Sequence, residues 1–308
     1  MNENEIVIRV KNLTVTFGTF RAVDNVSFEV YRGEIFGFLG ANGAGKTTTM
    51  RTLCGILNPS GGKVEVGGKD VSSSTAVLKP RIGYMSQKFT LYPDLSVQEN
   101  LRFAGSLYGM DEAQIDIRAR KIKSFIGLPE HLSGPVGQLS GGVKQMAALA
   151  AALLHDPDFV FLDEPTAGTS PQTREAFWAL IRRLAEQGKT IFVTTHYMDE
   201  AEYCGRIALM ERGKMVAQGT PAELKKQFFP VKPLELSFSQ PLIKQVRQAL
   251  AEEGVASSVF GDCLRVRTAD RAAFERATRP YQKGFFAYET EPTLEDVFLE
   301  AVSGGRGV

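Results

Sequence analysis

The sequence predicts an α/β domain built on a parallel sheet, followed by a smaller α+β domain. Three short apolar runs, at residues 36–39, 159–162 and 191–195, have the length and composition of strands that are buried on both faces. A glycine-rich turn follows the first run, and carboxylates follow the second. Because Pro230 and Pro233 then interrupt the chain, we expect domains at residues 1–230 and 231–308.

The composition is that of a folded protein without a strong charge. At 308 residues and 43% hydrophobic residues, the chain is longer than one typical domain and can bury a sizeable core. The formal net charge of +1 gives no electrostatic basis for binding nucleic acid, and we expect no such partner. Cys54, Cys204 and Cys263 are odd in number and widely separated, which favours a reducing compartment over disulfides or a zinc site.

The sequence has neither the pattern of a signal peptide nor that of a membrane span. Its N-terminus is polar and acidic, and the longest plain apolar run, residues 146–154, is far shorter than the ~20 residues of a spanning helix. We therefore expect a cytoplasmic protein.

Alternating residues flank the predicted parallel sheet. Residues 6–10, 26–30 and 63–68 alternate between apolar and polar side chains, which predicts an antiparallel β subdomain. Residues 96–155 are predicted to be helical, and they separate the first parallel strands from the later ones.

Residues 40–48 match the phosphate-loop pattern G-x-x-x-x-G-K-[ST]. A strand precedes this loop and a helix follows it, so its glycines can turn backbone N–H groups towards phosphate oxygens at a helix N-terminus. An ordinary glycine turn is the alternative, and the flanking elements argue against it. We expect Lys46 to reach the β- and γ-phosphates and the Thr47 hydroxyl to bind Mg²⁺. The predicted nucleotide contacts are Gly40, Asn42, Gly43, Gly45, Lys46, Thr47 and Thr48.

Two carboxylates end the second apolar strand, at the sheet edge where α/β proteins place their ligands. Asp163 is the predicted Mg²⁺ partner, and Glu164 is the candidate base for an attacking water. Alone, such a pair is more simply interpreted as solvated acids. The phosphate loop makes the catalytic interpretation the better one.

Gln87 and His196 each follow an apolar run that ends at the same predicted edge. His196 is placed to touch the γ-phosphate or to orient the water, and the Gln87 amide is placed to contact Mg²⁺ and water. Without the other motifs, the alternative for His196 is a structural hydrogen-bonding role, and the alternative for Gln87 is an ordinary surface position.

A second glycine-led motif, Ser140-Gly141-Gly142, precedes a predicted helix over residues 147–154. Ser140 is a good N-cap, and the two glycines leave N–H groups exposed at the helix start, which is suited to binding an anion. A capped core helix without a ligand is the alternative.

Taken together, these motifs resemble the nucleotide-binding subunits of ATP-binding cassette (ABC) transporters. The resemblance covers residue 5 to about residue 225, in the order of the family. It comprises an N-terminal aromatic (Phe17), the Walker A loop (40–48), the Q-loop (Gln87), the signature (139–145), Walker B (159–164) and the switch histidine (His196).

The resemblance implies an ATPase that works as a head-to-tail dimer. Ser140, Gly141 and Gly142 of one subunit would close over the γ-phosphate held by Lys46 of the other, a homodimer or a heterodimer. Phe17 would stack on the adenine. A surface that includes Phe89, Leu91, Tyr92 and Leu95 would receive a separate membrane subunit on the cytoplasmic face, with ordinary core packing as its alternative.

The chain departs from the family pattern at several positions. Phe17 replaces the usual tyrosine, and stacking needs only its ring. Val143 replaces a common glutamine and Met146 a frequent arginine, with little loss expected. Ser170 stands where the family has an aspartate that links the two sites of the dimer, so its replacement puts communication between the sites in doubt.

The last part of the chain, after Pro233, predicts a small α+β domain. Strands are expected at residues 234–238, 263–267 and 285–288, and helices at 242–253 and 271–278. Residues 293–299 resemble the tail of the ABC-2-type ATPases that export drugs, antibiotics and polymers. The function expected is therefore ATP-driven export through an ABC-2-type membrane subunit. A soluble ABC ATPase that works on ribosomes or DNA and a regulatory ATP-binding module are the alternatives.

Overall fold

The computed structural model describes residues 5–87, 90–129, 132, 134–239, 241–268 and 270–304. The chain forms two compact units, Met1–Pro221 and Ala222–Val308. This division falls at the start of the helix Pro221–Phe228, a few residues before the boundary expected from the sequence. The limits 1–230 and 231–308 stay a prediction.

The strands and helices that the structure describes follow in chain order. The strands are β1 (Ile6–Phe17), β2 (Phe20–Tyr31), β3 (Ile35–Gly40), β4 (Gly61–Val66), β5 (Lys69–Asp70), β6 (Ile82–Met85), β7 (Phe159–Asp163), β8 (Thr190–Thr195), β9 (Arg206–Glu211), β10 (Lys214–Gly219), β11 (Leu234–Phe238), β12 (Ala256–Phe260), β13 (Cys263–Arg267) and β14 (Phe285–Glu289). The helices are α1 (Lys46–Leu53), α2 (Thr75–Leu78), α3 (Val97–Leu107), α4 (Glu112–Ile126), α5 (Gly141–Leu153), α6 (Pro171–Glu186), α7 (Pro221–Phe228), α8 (Ile243–Glu252), α9 (Arg271–Thr278) and α10 (Leu294–Gly304). Short 3₁₀ turns cover Lys79–Arg81, Val136–Gln138, Glu200–Tyr203 and Arg279–Tyr281.

The first unit is organised around a central sheet with the strand order β10-β9-β3-β8-β7-β6. The pairs β3–β8, β3–β9, β7–β8 and β6–β7 are parallel, and β10 closes one edge in the antiparallel direction. Since β3, β7 and β8 run the same way, their carboxyl ends meet at one edge of the sheet. The residues after these strands therefore come together in space.

Aromatic packing fixes the interior of this unit. Neighbouring phenylalanine rings lie with their centroids between 5.3 and 5.9 Å apart. Burying each ring fully stabilises the fold by about 1.5–3 kcal/mol. The cluster thereby holds the central sheet against the antiparallel sheet that contributes one of its members. Its members are Phe28, Phe36, Phe38, Phe161 and Phe192.

The antiparallel β subdomain has the strand order β2-β1-β4-β5. A tight turn joins β1 to β2, and Gly18 adopts a φ of 59° there, a conformation that favours glycine. Phe17 and Phe20 are paired across this turn, so two aromatic side chains occupy the tip of the hairpin.

The helices α3, α4 and α5 form the helical subdomain. Capping boxes start α3 at Ser96–Glu99 and α4 at Asp111–Gln114, and Gly127 ends α4 in the left-handed conformation. In the part of the chain that the structure describes, no helix is both long enough and apolar enough to cross a membrane.

The second unit is an α+β domain with the antiparallel strand order β12-β13-β11-β14. Helices α8 and α9 pack on one face of the sheet, around Leu236, Val246 and Leu264. The predicted fold class is confirmed, with its parallel core sheet, antiparallel β subdomain, helical subdomain and C-terminal α+β domain. Strand β12 was not expected.

Candidate active site

The phosphate loop is held in place by glycines that cannot be replaced without a clash. Gly40 and Gly45 have positive φ angles of 156° and 105°. A Cβ on Gly40 would lie 2.2 Å from the Met210 carbonyl oxygen, and one on Gly45 would lie 2.5 Å from the Ala22 carbonyl oxygen. The loop is thus wedged between β9 and β2, and α1 starts directly after it.

Lys46 begins α1 and is almost completely buried, with 4% of its side chain exposed. Its Nζ donates to the Gly40 carbonyl at 2.7 Å and to the Ala41 carbonyl at 3.1 Å, and it lies 3.2 Å from Glu164 Oε1. A buried ammonium group with these partners is held at the mouth of the loop, where triphosphate oxygens would meet it.

Asp163 ends β7 and is buried. Its Oδ1 accepts hydrogen bonds from Thr194 Oγ1 at 2.6 Å and Thr47 Oγ1 at 3.1 Å, whereas its Oδ2 has no partner among the described residues. Burial raises the pKa of the Asp163 carboxyl, and the two hydroxyl donors partly oppose that rise. A buried carboxylate oxygen without a donor, beside a threonine hydroxyl, fits the oxygen ligands that Mg²⁺ prefers.

Glu164 is the point at which the predicted catalytic residues converge. Its Oε2 accepts from Gln87 Nε2 at 3.0 Å and lies 3.1 Å from His196 Nδ1, while its Oε1 pairs with Lys46. Its backbone has a φ of 47°, unusual for a residue other than glycine, and its N–H donates to Thr194. Such a conformation costs about 1–3 kcal/mol and persists where surrounding structure enforces it, as at active sites.

A cavity of about 350 Å³ opens between the hairpin tip of β1 and β2, the phosphate loop and Glu164. Most of the predicted nucleotide contacts line it, including Phe17 at its outer end. Phe20 also lines the cavity and is 64% exposed, and sequence reasoning missed it. The sequence feature that could have identified Phe20 is the tight turn at Gly18, which pairs Phe20 with Phe17. The predicted residues in the lining are Phe17, Asn42, Gly43, Gly45, Lys46, Thr47, Thr48, Gln87 and Glu164.

The signature residues lie elsewhere, at the start of α5. Ser140 is the N-cap of that helix, is exposed, and forms no side-chain capping bond. Gly141 is exposed, and a Cβ on Gly142 would lie 3.0 Å from Thr173 Cγ2 on α6. The structure does not place this motif in the lining of the cavity.

Ser170 keeps a structural function that the usual aspartate would also serve. It is the N-cap of α6, and its Oγ accepts from the Thr173 N–H at 3.3 Å. Since serine and aspartate are both good N-caps, the start of α6 is preserved. The effect of Ser170 on communication between two sites stays a prediction.

Part of the surface predicted to receive a membrane subunit lies at a groove of about 180 Å³, which Leu95 does not line. Leu91 and Tyr92 line it, together with aromatic and aliphatic residues of α3, and Tyr92 packs edge-on against Phe103 at 4.8 Å. Tyr92 is 49% exposed and Leu107 69%, so this surface is not ordinary core. Phe89 lies outside the described residues.

Comparison with known proteins agrees with this geometry. The family described as ABC transporter matches residues 23–167. The probable multidrug ABC transporter ATP-binding protein YbhF of Escherichia coli is 48% identical over 223 residues, which cover 72% of this chain and 39% of that protein. The chain therefore spans well under half of the length of that relative. The Nod factor export ATP-binding protein I of Paraburkholderia xenovorans is 36% identical over 297 residues, which cover 96% of each chain.

Solved structures give the same result. The dimeric structure of MJ0796, a bacterial ABC transporter cassette, has a TM-score of 0.64 and 27% sequence identity, and the match covers 69% of this chain and 98% of that one. A structure of the ATP binding subunit of an ABC transporter has a TM-score of 0.65 and 29% identity over 72% of this chain and 93% of that chain. The chain belongs to the family of ABC transporter ATP-binding proteins, and its first unit is an ABC ATPase cassette.

Proposed function

We propose that the chain hydrolyses ATP to drive export through a separate ABC-2-type membrane subunit. The observation that carries this proposal is the convergence on Glu164 of Lys46, Gln87 and His196, each within 3.2 Å of its carboxylate. Phosphoryl transfer to water requires a general base, a cation that binds phosphate and polar groups that orient the base.

We propose a role for each of these side chains. Phosphate oxygens entering the loop compete with Glu164 for the Lys46 ammonium, so binding of the triphosphate frees the carboxylate to accept a proton from water. Gln87 and His196 both contact Oε2, so they orient Glu164 as Lys46 leaves it. The aromatic rings of Phe17 and Phe20 offer a stacking surface for adenine at the other end of the cavity.

Thr47, Asp163 and Gln87 would hold Mg²⁺: Thr47 and Gln87 line the cavity, and the Thr47 hydroxyl is hydrogen-bonded to Asp163. When bound, the ion neutralises charge on the phosphates and thereby lowers the barrier to their transfer. The unpartnered Asp163 Oδ2 supports this assignment, since a buried carboxylate oxygen without a donor is costly unless a ligand satisfies it.

A second ATPase subunit would complete the site. Ser140, Gly141 and the N-terminus of α5 are exposed and lie outside the lining of the cavity, which suits contact with a nucleotide held by another copy. Helix N-termini bind phosphate through their free N–H groups and their dipole. We infer that ATP closes a head-to-tail dimer, with itself or with a sister ATPase, and that hydrolysis reopens it.

The groove beside α3 would receive the membrane subunit at the cytoplasmic face of the membrane. Exposed apolar residues in one continuous groove are typical of an interaction site, and the lining residues Thr90, Leu91 and Tyr92 follow Gln87 closely in the chain. The relatives named for multidrug and Nod factor export support an exporter, and one of them aligns with 96% of the chain, which includes the C-terminal domain.

Dimer closure is tested by size-exclusion chromatography of the Glu164→Gln variant. With ATP and Mg²⁺ we expect a dimer, and without nucleotide a monomer. A Ser140→Arg variant in the same background should bind ATP yet remain monomeric, because its side chain fills the exposed helix start. An ATP-loaded Glu164→Gln protein that never pairs with itself or with a co-expressed sister ATPase contradicts the proposal.

Docking is tested by co-purification with the membrane subunit. Leu107→Glu places a charge in the groove, whereas Ile117→Glu changes a residue of similar exposure on α4 that does not line it. We expect only Leu107→Glu to lose the membrane subunit, with the ATPase activity of the isolated chain unchanged in both. Equal retention by both variants contradicts docking at this groove.

A further inference from the structure

Glu200 is a fully buried carboxylate outside the converging residues described above. It begins the 3₁₀ turn after β8, and its exposure is 0%. A buried charge without partners would be strongly destabilising, so the groups around it are informative.

The partners of Glu200 come from three separate segments of the chain. Thr166 Oγ1 donates to its Oε1 at 2.5 Å, and Thr195 Oγ1 donates to its Oε2 at 2.6 Å. Arg174 Nε lies 3.4 Å from Oε1, an ion pair without the alignment of a hydrogen bond. Both carboxylate oxygens are therefore satisfied only when these segments keep their positions.

Two of the segments carry catalytic residues. Thr166 follows Glu164 by two positions, and Thr195 directly precedes His196. The Thr195 hydroxyl also accepts the Tyr197 N–H at 3.0 Å, which fixes the turn on the far side of His196. Glu200 thus bridges the backbone around Glu164 to the backbone around His196.

Arg174 adds a third anchor from α6. Its guanidinium lies over the Tyr197 ring at 4.2 Å and pairs with Asp199 at 3.3 Å. The residues on both sides of His196 are therefore held by Glu200 and Arg174 together. The contact between His196 Nδ1 and Glu164 Oε2, at 3.1 Å, spans the two segments that this network joins.

We propose that Glu200 is a positioning residue for ATP hydrolysis, which holds His196 against Glu164 by tying Thr195 to Thr166. The inference rests on the roles proposed above for His196 and Glu164. The physical basis is that the cost of burying the Glu200 carboxylate is offset only when Thr166 and Thr195 both donate to it. That arrangement also sets the distance between His196 and Glu164.

The test uses the purified full chain and measures ATP affinity, turnover per bound nucleotide and KM. For Glu200→Ala we expect kcat to fall about tenfold, because misplacement of an orienting residue slows the chemical step. We expect KM and ATP affinity to change by less than about twofold, because the residues that hold the nucleotide are untouched. Thr166→Val, which removes one donor and keeps the side-chain shape, should lose about threefold in kcat for the same reason.

A double-mutant cycle separates positioning from general destabilisation. If Glu200 acts through His196, adding Glu200→Ala to His196→Ala should reduce kcat by less than about twofold more. Glu34→Gln is the matched control, since Glu34 is also shielded and paired with an arginine, Arg206, at the opposite end of the sheet. It should leave kcat per bound nucleotide unchanged.

Two results would overturn the inference. One is a wild-type kcat per bound nucleotide in both Glu200→Ala and Thr166→Val. The other is a double mutant of Glu200→Ala and His196→Ala in which the two losses of kcat multiply, as they would for independent residues. If Glu200→Ala does not fold, Thr166→Val takes its place. Its kcat per bound nucleotide is then measured alone and in combination with His196→Ala, and the same two results would overturn the inference. Wild-type turnover in His196→Ala alone would instead refute the role proposed for His196 and, with it, the positioning role of Glu200.

Discussion

We expect that replacing Glu164 by glutamine separates binding of ATP from its hydrolysis. Glutamine has the same shape and can still contact Gln87 and His196, but it cannot accept a proton from water. We expect kcat to fall by about 10²–10⁴-fold, the usual contribution of a general base. ATP affinity should be unchanged or up to about tenfold tighter, because Glu164 Oε1, 3.2 Å from Lys46 Nζ, no longer competes with phosphate for that ammonium.

The structure also sets the expected cost in stability. Glu164 is 6% exposed, and its loss of charge removes an ion partner from the buried Lys46. Lys46 keeps two carbonyl acceptors, Gly40 and Ala41, so it is not left unpaired. We therefore expect the free energy of unfolding to fall by about 1.5–3 kcal/mol, the range for losing one hydrogen bond to a charged group.

Single-turnover phosphate release, nucleotide-binding titration and denaturant unfolding measure the three quantities. Asp158→Asn is the control, since it makes the same chemical change at the opposite end of β7, where Asp158 is half exposed and pairs with Arg81. It should leave turnover and affinity unchanged. A Glu164→Gln protein that hydrolyses ATP at more than about a tenth of the wild-type rate would remove Glu164 from the role of base.

Three further predictions concern nucleotide binding and stability. Lys46→Ala should weaken ATP binding about 10–100-fold, the loss of a charged hydrogen bond to phosphate, and unchanged affinity by titration would contradict the loop's role. Phe17→Ala and Phe20→Ala should each weaken ATP binding by about 1–3 kcal/mol yet leave inorganic triphosphate binding unchanged; equal losses for both ligands would exclude base stacking. Because burial raises the pKa of Asp163, its ionisation disfavours the folded state: the cost is absent below the ordinary aspartate pKa and present above the raised one. Asp163→Asn should therefore gain stability relative to wild type as the pH rises from about 4 to about 7, while Mg²⁺-dependent nucleotide affinity falls; a constant difference in unfolding free energy would refute the raised pKa.

Much of the fold was predictable because local patterns and the final structure agree. The apolar runs that precede Gly40, Asp163 and His196 are buried strands, and parallel pairing alone brings their ends together. Strand β12 was missed because Ala256–Phe260 includes two serines and lacks a buried face of its own; its pairing with β13 makes it a strand. Tertiary context overrides a weak propensity there.

The sequence motifs predicted which residues belong to the candidate site, but not the contacts among those residues. Short motifs show where Lys46, Glu164 and His196 lie along the chain, but they give no distances between them. Phe20 was missed because only the tight turn at Gly18 places it beside Phe17. Glu200 was missed because a single glutamate after a strand resembles a surface residue in sequence, and its burial depends on α6 packing from a distant segment.

The wedging of the phosphate loop has a consequence for how such a protein could be redesigned. Carbonyl oxygens of Met210 and Ala22 leave no room for a side chain on Gly40 or Gly45, so the loop cannot be reshaped by substitution at these two positions. If the proposed stacking on the base is correct, base preference is better altered at the hairpin tip, where Phe17 and Phe20 are exposed. Redesign is therefore constrained at these two glycines of the loop and much less constrained at the hairpin tip.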